Sequence, residues 1–106
     1  MSKKVVTKEI KIDAKLNTRL SIKTFYTYIL LCNDNTFYIG STNDLEKRLH
    51  AHNNTKAGAH YTKIRRPVKL IYKEEYNTSS EAKKREVVLK KLSRLEKEKL
   101  IQETNN

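Results

Sequence analysis

The sequence predicts an α+β fold, a small three-stranded antiparallel sheet flanked by helices in the order β-β-α-β-α-α. Three observations carry this. The stretches from Phe25 to Cys32 and from Val68 to Tyr72 are dense in aromatic and branched residues, the composition of strands. Asn33-Asp34-Asn35 separates the first of these from Phe37-Tyr38-Ile39-Gly40, as a hairpin turn would. Two later runs, Leu45 to His52 and Glu81 to Leu92, have the spacing and composition of helices. At 106 residues the chain has room for one domain of ordinary size. Its 37% hydrophobic and 33% charged residues are lean for a globular domain, but stay above the level at which disorder becomes the default.

Taken in order, residues 1–24 form a polar, basic segment in which no single period holds. Ile10 and Ile12 alternate as in a strand, while Leu16 and Leu20 are spaced as in a helix. It is read as a basic N-terminal extension, followed by a domain over residues 25–103 and a tail at 104–106. The first strand is Phe25 to Cys32. The asparagines and aspartate after it tolerate left-handed backbone angles and make side-chain turns. Phe37 to Gly40 is the return strand. Ser41-Thr42-Asn43-Asp44 offers capping side chains for the helix that follows. Residues 53–66 read as a polar, basic loop containing Gly58 and ending at Pro67. Val68 opens a third strand that runs to Tyr76. Ser79 and Ser80 are candidate caps for the helix of Glu81 to Leu92, and Ser93 restarts a last helix through Leu95, Leu100 and Ile101.

The net charge is +11. A charge so positive on so short a chain favours an anionic partner. Residues 25–40 carry one charged group, Asp34, so the basic residues gather outside the first two strands. Loops and helices of that kind supply phosphate contacts. Nucleic acid is therefore expected ahead of an anionic membrane, with a solvated lysine surface as the plainer alternative. Lys56, Lys63, Arg65, Arg66 and Lys90 are the candidate nucleic-acid contacts. Cys32 is the single cysteine, which excludes a disulfide framework and a cysteine zinc site. The longest apolar run, Ile29 to Cys32, is far too short to span a membrane. The first residues lack the apolar core of a secretory signal. A reduced, cytoplasmic setting is expected, nucleoid-associated if the source is bacterial.

Three polar residues fall where apolar ones belong. At about 100° per residue, His52 projects within about 20° of Leu45, and Arg48 lies one turn below it. On the second long helix Glu86 falls on the shoulder of the stripe formed by Ala82 and Leu89. A carboxylate there needs water, a partner or a cation. Each has a plain alternative: His52 as a hydrogen-bonded structural residue, Arg48 paired with Asp44, Glu86 paired with Lys83 or Lys90. Together they suit phosphodiester chemistry. That reaction needs activation of water, a cation near the phosphate and stabilisation of the departing oxygen. A lone carboxylate with water and phosphate suits Mg²⁺, and arginine offers paired donors to phosphate.

These residues resemble the GIY-YIG nuclease domain, closest to its small stand-alone members, over roughly residues 25–101. Tyr38-Ile39-Gly40 matches the second half of the signature. Tyr26-Thr27-Tyr28 corresponds to the first half, with the tyrosine kept and Gly-Ile replaced. Ser41 to His52 resembles the family's arginine- and histidine-bearing helix, and Tyr61 to Val68 the run that commonly precedes the third strand. Glu86 stands where a metal-binding glutamate is expected. The resemblance implies a metal-dependent endonuclease hydrolysing phosphodiester bonds in DNA, single-stranded or branched DNA included. Tyr38 would lie near the attacking water as its base, with Tyr28 positioning it or sharing that role. Arg48 would stabilise the phosphate, His52 would orient or relay protons, Gly40 would complete the motif, and Glu86 would hold one Mg²⁺ or Mn²⁺. A late amide side chain found in some members has no counterpart between Lys90 and Lys99. The alternative is a non-catalytic module that binds DNA or structured RNA on the same fold. With no appended recognition module, either selectivity for DNA structure or strand, or a protein partner for targeting, is expected. The shared site also sets a register. Tyr28 and Tyr38 face the same side only if the hairpin loop has an odd number of residues, such as 33–35, or a bulge.

Overall fold

A computed structural model describes residues 9, 10 and 23–105. The extension expected over residues 1–24 therefore lies almost wholly outside the described residues. Three strands, β1 (Phe25–Leu31), β2 (Phe37–Thr42) and β3 (Lys69–Tyr76), form one antiparallel sheet in the order β2-β1-β3. The helices are α1 (Leu45–Asn54), the single turn α2 (His60–Lys63), α3 (Ser79–Lys90) and α4 (Arg94–Asn105). The order of the long elements is the expected β-β-α-β-α-α. The short helix α2 interrupts the segment read as loop, and α4 continues into the stretch read as a tail. No helix among the described residues is long and apolar enough to cross a membrane.

The hairpin has the odd loop. Cys32 N donates to Thr36 O at 2.8 Å and Asn35 N to Cys32 O at 2.9 Å, leaving residues 33–35 outside the ladder. Asn35 adopts a left-handed backbone, φ 69°, which asparagine tolerates better than most residues. Asp34 Oδ1 accepts from the backbone and hydroxyl of Thr36, closing the turn with a side chain. The resulting register pairs Tyr28 with Gly40 and Leu30 with Tyr38. Directly opposed residues share a face, so Tyr28, Tyr38 and Gly40 lie on one side of the sheet.

Each face of the sheet has its own apolar cluster. On one face Tyr26, Tyr28, Leu30, Leu70 and Val68 pack with Leu45 of α1, and Tyr38, Leu49 and Ile10 add to the margin. Ile10 N donates to Leu70 O, so residue 10 sits against the outer edge of β3. On the other face Ile29, Ile39, Ile71 and Tyr72 pack with Leu89 of α3 and Ile101 of α4. A register shift between Ile29 and Leu30 leaves Ile71 as an extra residue in β3. Ile71 and Tyr72, consecutive in sequence, then both join the second cluster. Because β1 is central and covered on both sides, its middle residues are buried without alternation.

The helices start where side chains satisfy their free N–H groups. Asp44 caps α1 by accepting from Lys47 N. Thr78, rather than Ser79 or Ser80, caps α3 by accepting from Glu81 N. Ser93 and Glu96 exchange side-chain and backbone bonds at the head of α4. α3 is held to β3 by one carboxylate. Glu74 accepts from the hydroxyls of Tyr72 and Tyr76 and from Arg85 Nε and Nη2 at 2.8 and 3.1 Å. Arg85 and these hydrogen bonds hold the Glu74 carboxyl below its usual range, although burial opposes them. Removing the carboxylate leaves four donors without it. Glu74→Ala is expected to lower stability by about 2 kcal/mol, read from the urea midpoint, with the far-ultraviolet spectrum retained.

Candidate active site

The tyrosine face presents a buried polar line across an apolar cluster. Tyr28 is 2% exposed, and its hydroxyl lies 2.9 Å from Nε2 of His52. His52, on α1, is fully buried; its Nδ1 lies 2.8 Å from Oγ1 of Thr62. Thr62, on α2, is also fully buried, and its hydroxyl donates to the carbonyl of Ala59 at 2.9 Å. The Tyr38 ring meets His52 edge-on, with centroids 5.0 Å apart. Burial holds the Tyr28 phenol well above its usual pKa; Tyr38 and Glu86 push the same way, while Arg48 pulls it down by hydrogen bond and charge. Burial, with Arg48 and Arg66 nearby, lowers His52 to about 4. At neutral pH His52 is an uncharged imidazole and Tyr28 a protonated phenol.

Gly40 makes the close approach possible. A Cβ built there would lie 2.5 Å from the Tyr28 hydroxyl oxygen and 3.2 Å from the Tyr38 ring. Gly40 φ is not positive, so space rather than backbone conformation calls for glycine. The next residue, Ser41, points to the opposite face, where its hydroxyl donates to Glu86 Oε1 at 2.8 Å. Glu86 Oε2 pairs with Lys90 at 2.7 Å, as the plain reading of that helix allowed. The site thus has two halves on opposite faces of the sheet. They meet at β2, where Tyr28 sits over Gly40 on one face and the next residue, Ser41, reaches Glu86 on the other.

Of the expected site residues, Tyr28, Tyr38, Gly40, His52 and Arg48 come together, with Glu86 across β2. Arg48 does not pair with Asp44: its Nη1 donates to the carbonyl of Ala57, and its side chain lines the same small cavity as Tyr28. The basic residues divide. Lys56 is exposed and Lys63 half-buried. Arg65 stacks on Tyr61 at 3.7 Å and pairs with Asp34 at 2.9 Å. Arg66, expected on nucleic acid, is instead turned inward. Its Nε donates to His52 O at 2.7 Å, and its Nη2 to Ala51 O and Thr55 O. A helix end offers carbonyls with capacity to spare, and an arginine returning from the following loop bonds two in the last turn of α1 and that of the capping residue Thr55. Gly58 lies just as close: a Cβ there would fall 2.4 Å from Ala51 O.

Thr62, Ser41 and Gly58 were missed in sequence. A buried histidine needs a partner for each ring nitrogen, and Thr62 is the one aliphatic hydroxyl between Gly58 and Pro67. That signal becomes readable only once His52 is known to be buried.

The profile described as the GIY-YIG catalytic domain matches residues 24–100. The chain belongs to the GIY-YIG family. Its relatives include UPF0213 protein YazA of Bacillus subtilis, 49% identical over 81 residues, which span 76% of this chain and 81% of that one. UPF0213 protein SSP2268 of Staphylococcus saprophyticus is 54% identical over 78 residues, 74% of this chain and 94% of that one. A solution NMR structure of the protein EF2693 from E. faecalis has the same fold. The two align with a TM-score of 0.55 and 45% identity, over 78% of this chain and 88% of that one. GIY-YIG is a nuclease family whose members act on nucleic acid and generally use a divalent cation.

The burial of neutral His52 sets a pH dependence. In the unfolded chain the imidazole takes up a proton near 6.5, whereas in the folded protein it does so only near 4. Below pH 6.5 the unfolded state therefore binds more protons, and stability falls as pH drops towards 4. The expected loss over that interval is about 3 kcal/mol, read from urea midpoints at successive pH values. His52→Gln is expected to flatten it.

Proposed function

We propose that the protein is an endonuclease that hydrolyses phosphodiester bonds in DNA, single-stranded or branched DNA included, with one divalent cation, Mg²⁺ or Mn²⁺. The observation that carries this reading is the hydrogen bond between a buried Tyr28 hydroxyl and an uncharged His52, with Arg48 lining the cavity beside Tyr28. A phenol bonded to a neutral base can take a proton from water while its own proton moves on.

The donor set fits a hydrated hard cation. Each Glu86 oxygen has one protein partner, and a carboxylate offers about four acceptor positions. Among the described residues no group of three His, Cys, Asp or Glu could hold a metal. A single carboxylate suits Mg²⁺ or Mn²⁺, whose remaining positions go to water and phosphate, and does not suit the closed site that zinc prefers. Glu86 would hold the ion, with the half-exposed Lys90 ammonium displaced. When bound, the ion neutralises phosphate charge and stabilises the departing oxygen.

The chain's own residues supply the rest. Tyr28 accepts a proton from water as its hydroxyl proton passes to Nε2 of His52. The water oxygen bonds phosphorus, and the bond to the departing oxygen breaks. The proton then leaves His52 through Tyr28 to solvent while the departing oxygen is protonated, so the balance is simple hydrolysis. We assign Tyr28 rather than Tyr38 to the base, because the Tyr28 hydroxyl is the one bonded to His52. Tyr38, beside His52 on the edge strand, walls the site and orients the water. Arg48, held by Ala57 O, stabilises charge on the phosphate. Lys56 and Lys63 remain available for the DNA backbone, whereas Arg65, Arg66 and Lys90 have partners within the chain.

Cleavage of labelled single-stranded, duplex and branched DNA tests this. Cutting is expected with Mg²⁺ or Mn²⁺ and not with chelator. Arg48→Ala is expected to slow it by about 100-fold or more, and Glu86→Ala to reduce it to background. A pure wild-type protein that binds these substrates and cuts none would replace the reading with a nucleic-acid-binding module.

A further inference from the structure

We propose that Thr62 is a positioning residue that locks His52 in the tautomer protonated at Nδ1, so that Nε2 meets Tyr28 as a bare acceptor. The inference starts from one carbonyl. Thr62 Oγ1 lies 2.9 Å from Ala59 O and 2.8 Å from His52 Nδ1. A carbonyl oxygen only accepts, so the single hydroxyl proton of Thr62 goes to Ala59. Thr62 can then only accept from His52, which places the imidazole proton on Nδ1. Nε2 is left with a lone pair, and the bond to Tyr28 runs from phenol to imidazole.

The surroundings hold Thr62 to this task. Ala59 O also receives the backbone N–H of Thr62 at 3.1 Å, so the side chain is fixed against its own turn. Gly58 lets this turn lie on α1, since a Cβ there would fall 2.9 Å from the Cα of His52. Arg66 grips the carbonyl of His52 from the other side at 2.7 Å. The backbone of His52 and its Nδ1 partner are thereby fixed from one continuous segment, residues 58–66. The other tautomer would present N–H to Tyr28, whose oxygen would have to accept, and the phenol proton would have no path to the ring.

The consequence for cleavage rests on the nuclease reading; the tautomer does not, and the test separates them. Nitrogen-15 spectra of the full chain at neutral pH, with His52 assigned from His52→Gln, are expected to show Nδ1 protonated and Nε2 bare. In Thr62→Val the two forms are expected to mix or invert. DNA affinity should stay as in the wild type, and cleavage should fall by about five- to tenfold, the population shift that one lost hydrogen bond produces. Thr62→Ser is expected to restore both the spectrum and the rate. A wild-type His52 protonated at Nε2 overturns the assignment, even if the valine variant fails to fold. So does a folded Thr62→Val with an unchanged His52 spectrum. A tautomer that moves while cleavage stays at the wild-type rate overturns its role in the reaction. If the wild type cuts no DNA, the nuclease reading fails, and the spectra alone still decide whether Thr62 sets the tautomer.

Discussion

The register of the first hairpin is the constraint on which the rest of the site depends. A loop of three residues, turned by Asn35 in a left-handed conformation, pairs Tyr28 with Gly40 and Leu30 with Tyr38. A loop one residue shorter or longer would move Tyr38 and Gly40 to the opposite face and send Ser41 to the tyrosine side. Tyr28 would then lose the vacant space over Gly40, and Glu86 would lose the hydroxyl of Ser41. A turn at the far end of two strands thus decides which chemical groups meet near their middle.

Two buried polar arrangements in this small protein work by different physics. Around Glu74 a charged group is matched by an arginine and two phenols, and the reward is mechanical: α3 is fastened to β3. Around His52 no member of the line is charged, although Arg48 and Arg66 press on it. Burial and the neighbouring cations both oppose an imidazolium, so the ring stays neutral and basic groups nearby raise no need for a counter-ion. A neutral acceptor beside a phenol fixes where the phenol points without placing a charge in the cluster.

Much of the fold was legible in the sequence because its signals are local. The β-rich runs, the Asn-Asp-Asn turn and the helical spacing of Leu45, Leu49 and His52 each depend on residues close in the chain. The odd hairpin loop followed from requiring two tyrosines on one face. Helix starts were read to within a residue or two, since Thr78, Ser79 and Ser80 compete for one cap. The loop before β3 was the opaque part. Arg65 and Arg66 look alike as basic residues on a loop, yet one stacks on Tyr61 and the other bonds three carbonyls at the end of α1, two within it and one at its cap. Whether an arginine faces solvent or a helix end depends on where the loop lies in space, which spacing does not encode. Thr62 was hidden for the same reason: its partner is ten residues away on another element.

The division of the site between two apolar clusters has a consequence for the order of synthesis. A ribosome supplies the chain from its first residue onward. The cluster beneath Tyr28 and His52 is complete once Leu70 has been made. The cluster beneath α3, which carries Glu86, closes only with Ile101. About thirty residues of chain separate the last member of the first cluster from the last member of the second. The tyrosine half draws on residues up to Leu70 alone, whereas the carboxylate half rests on a cluster that includes Ile101 of α4, more than sixty residues along the chain from Tyr28 and Tyr38.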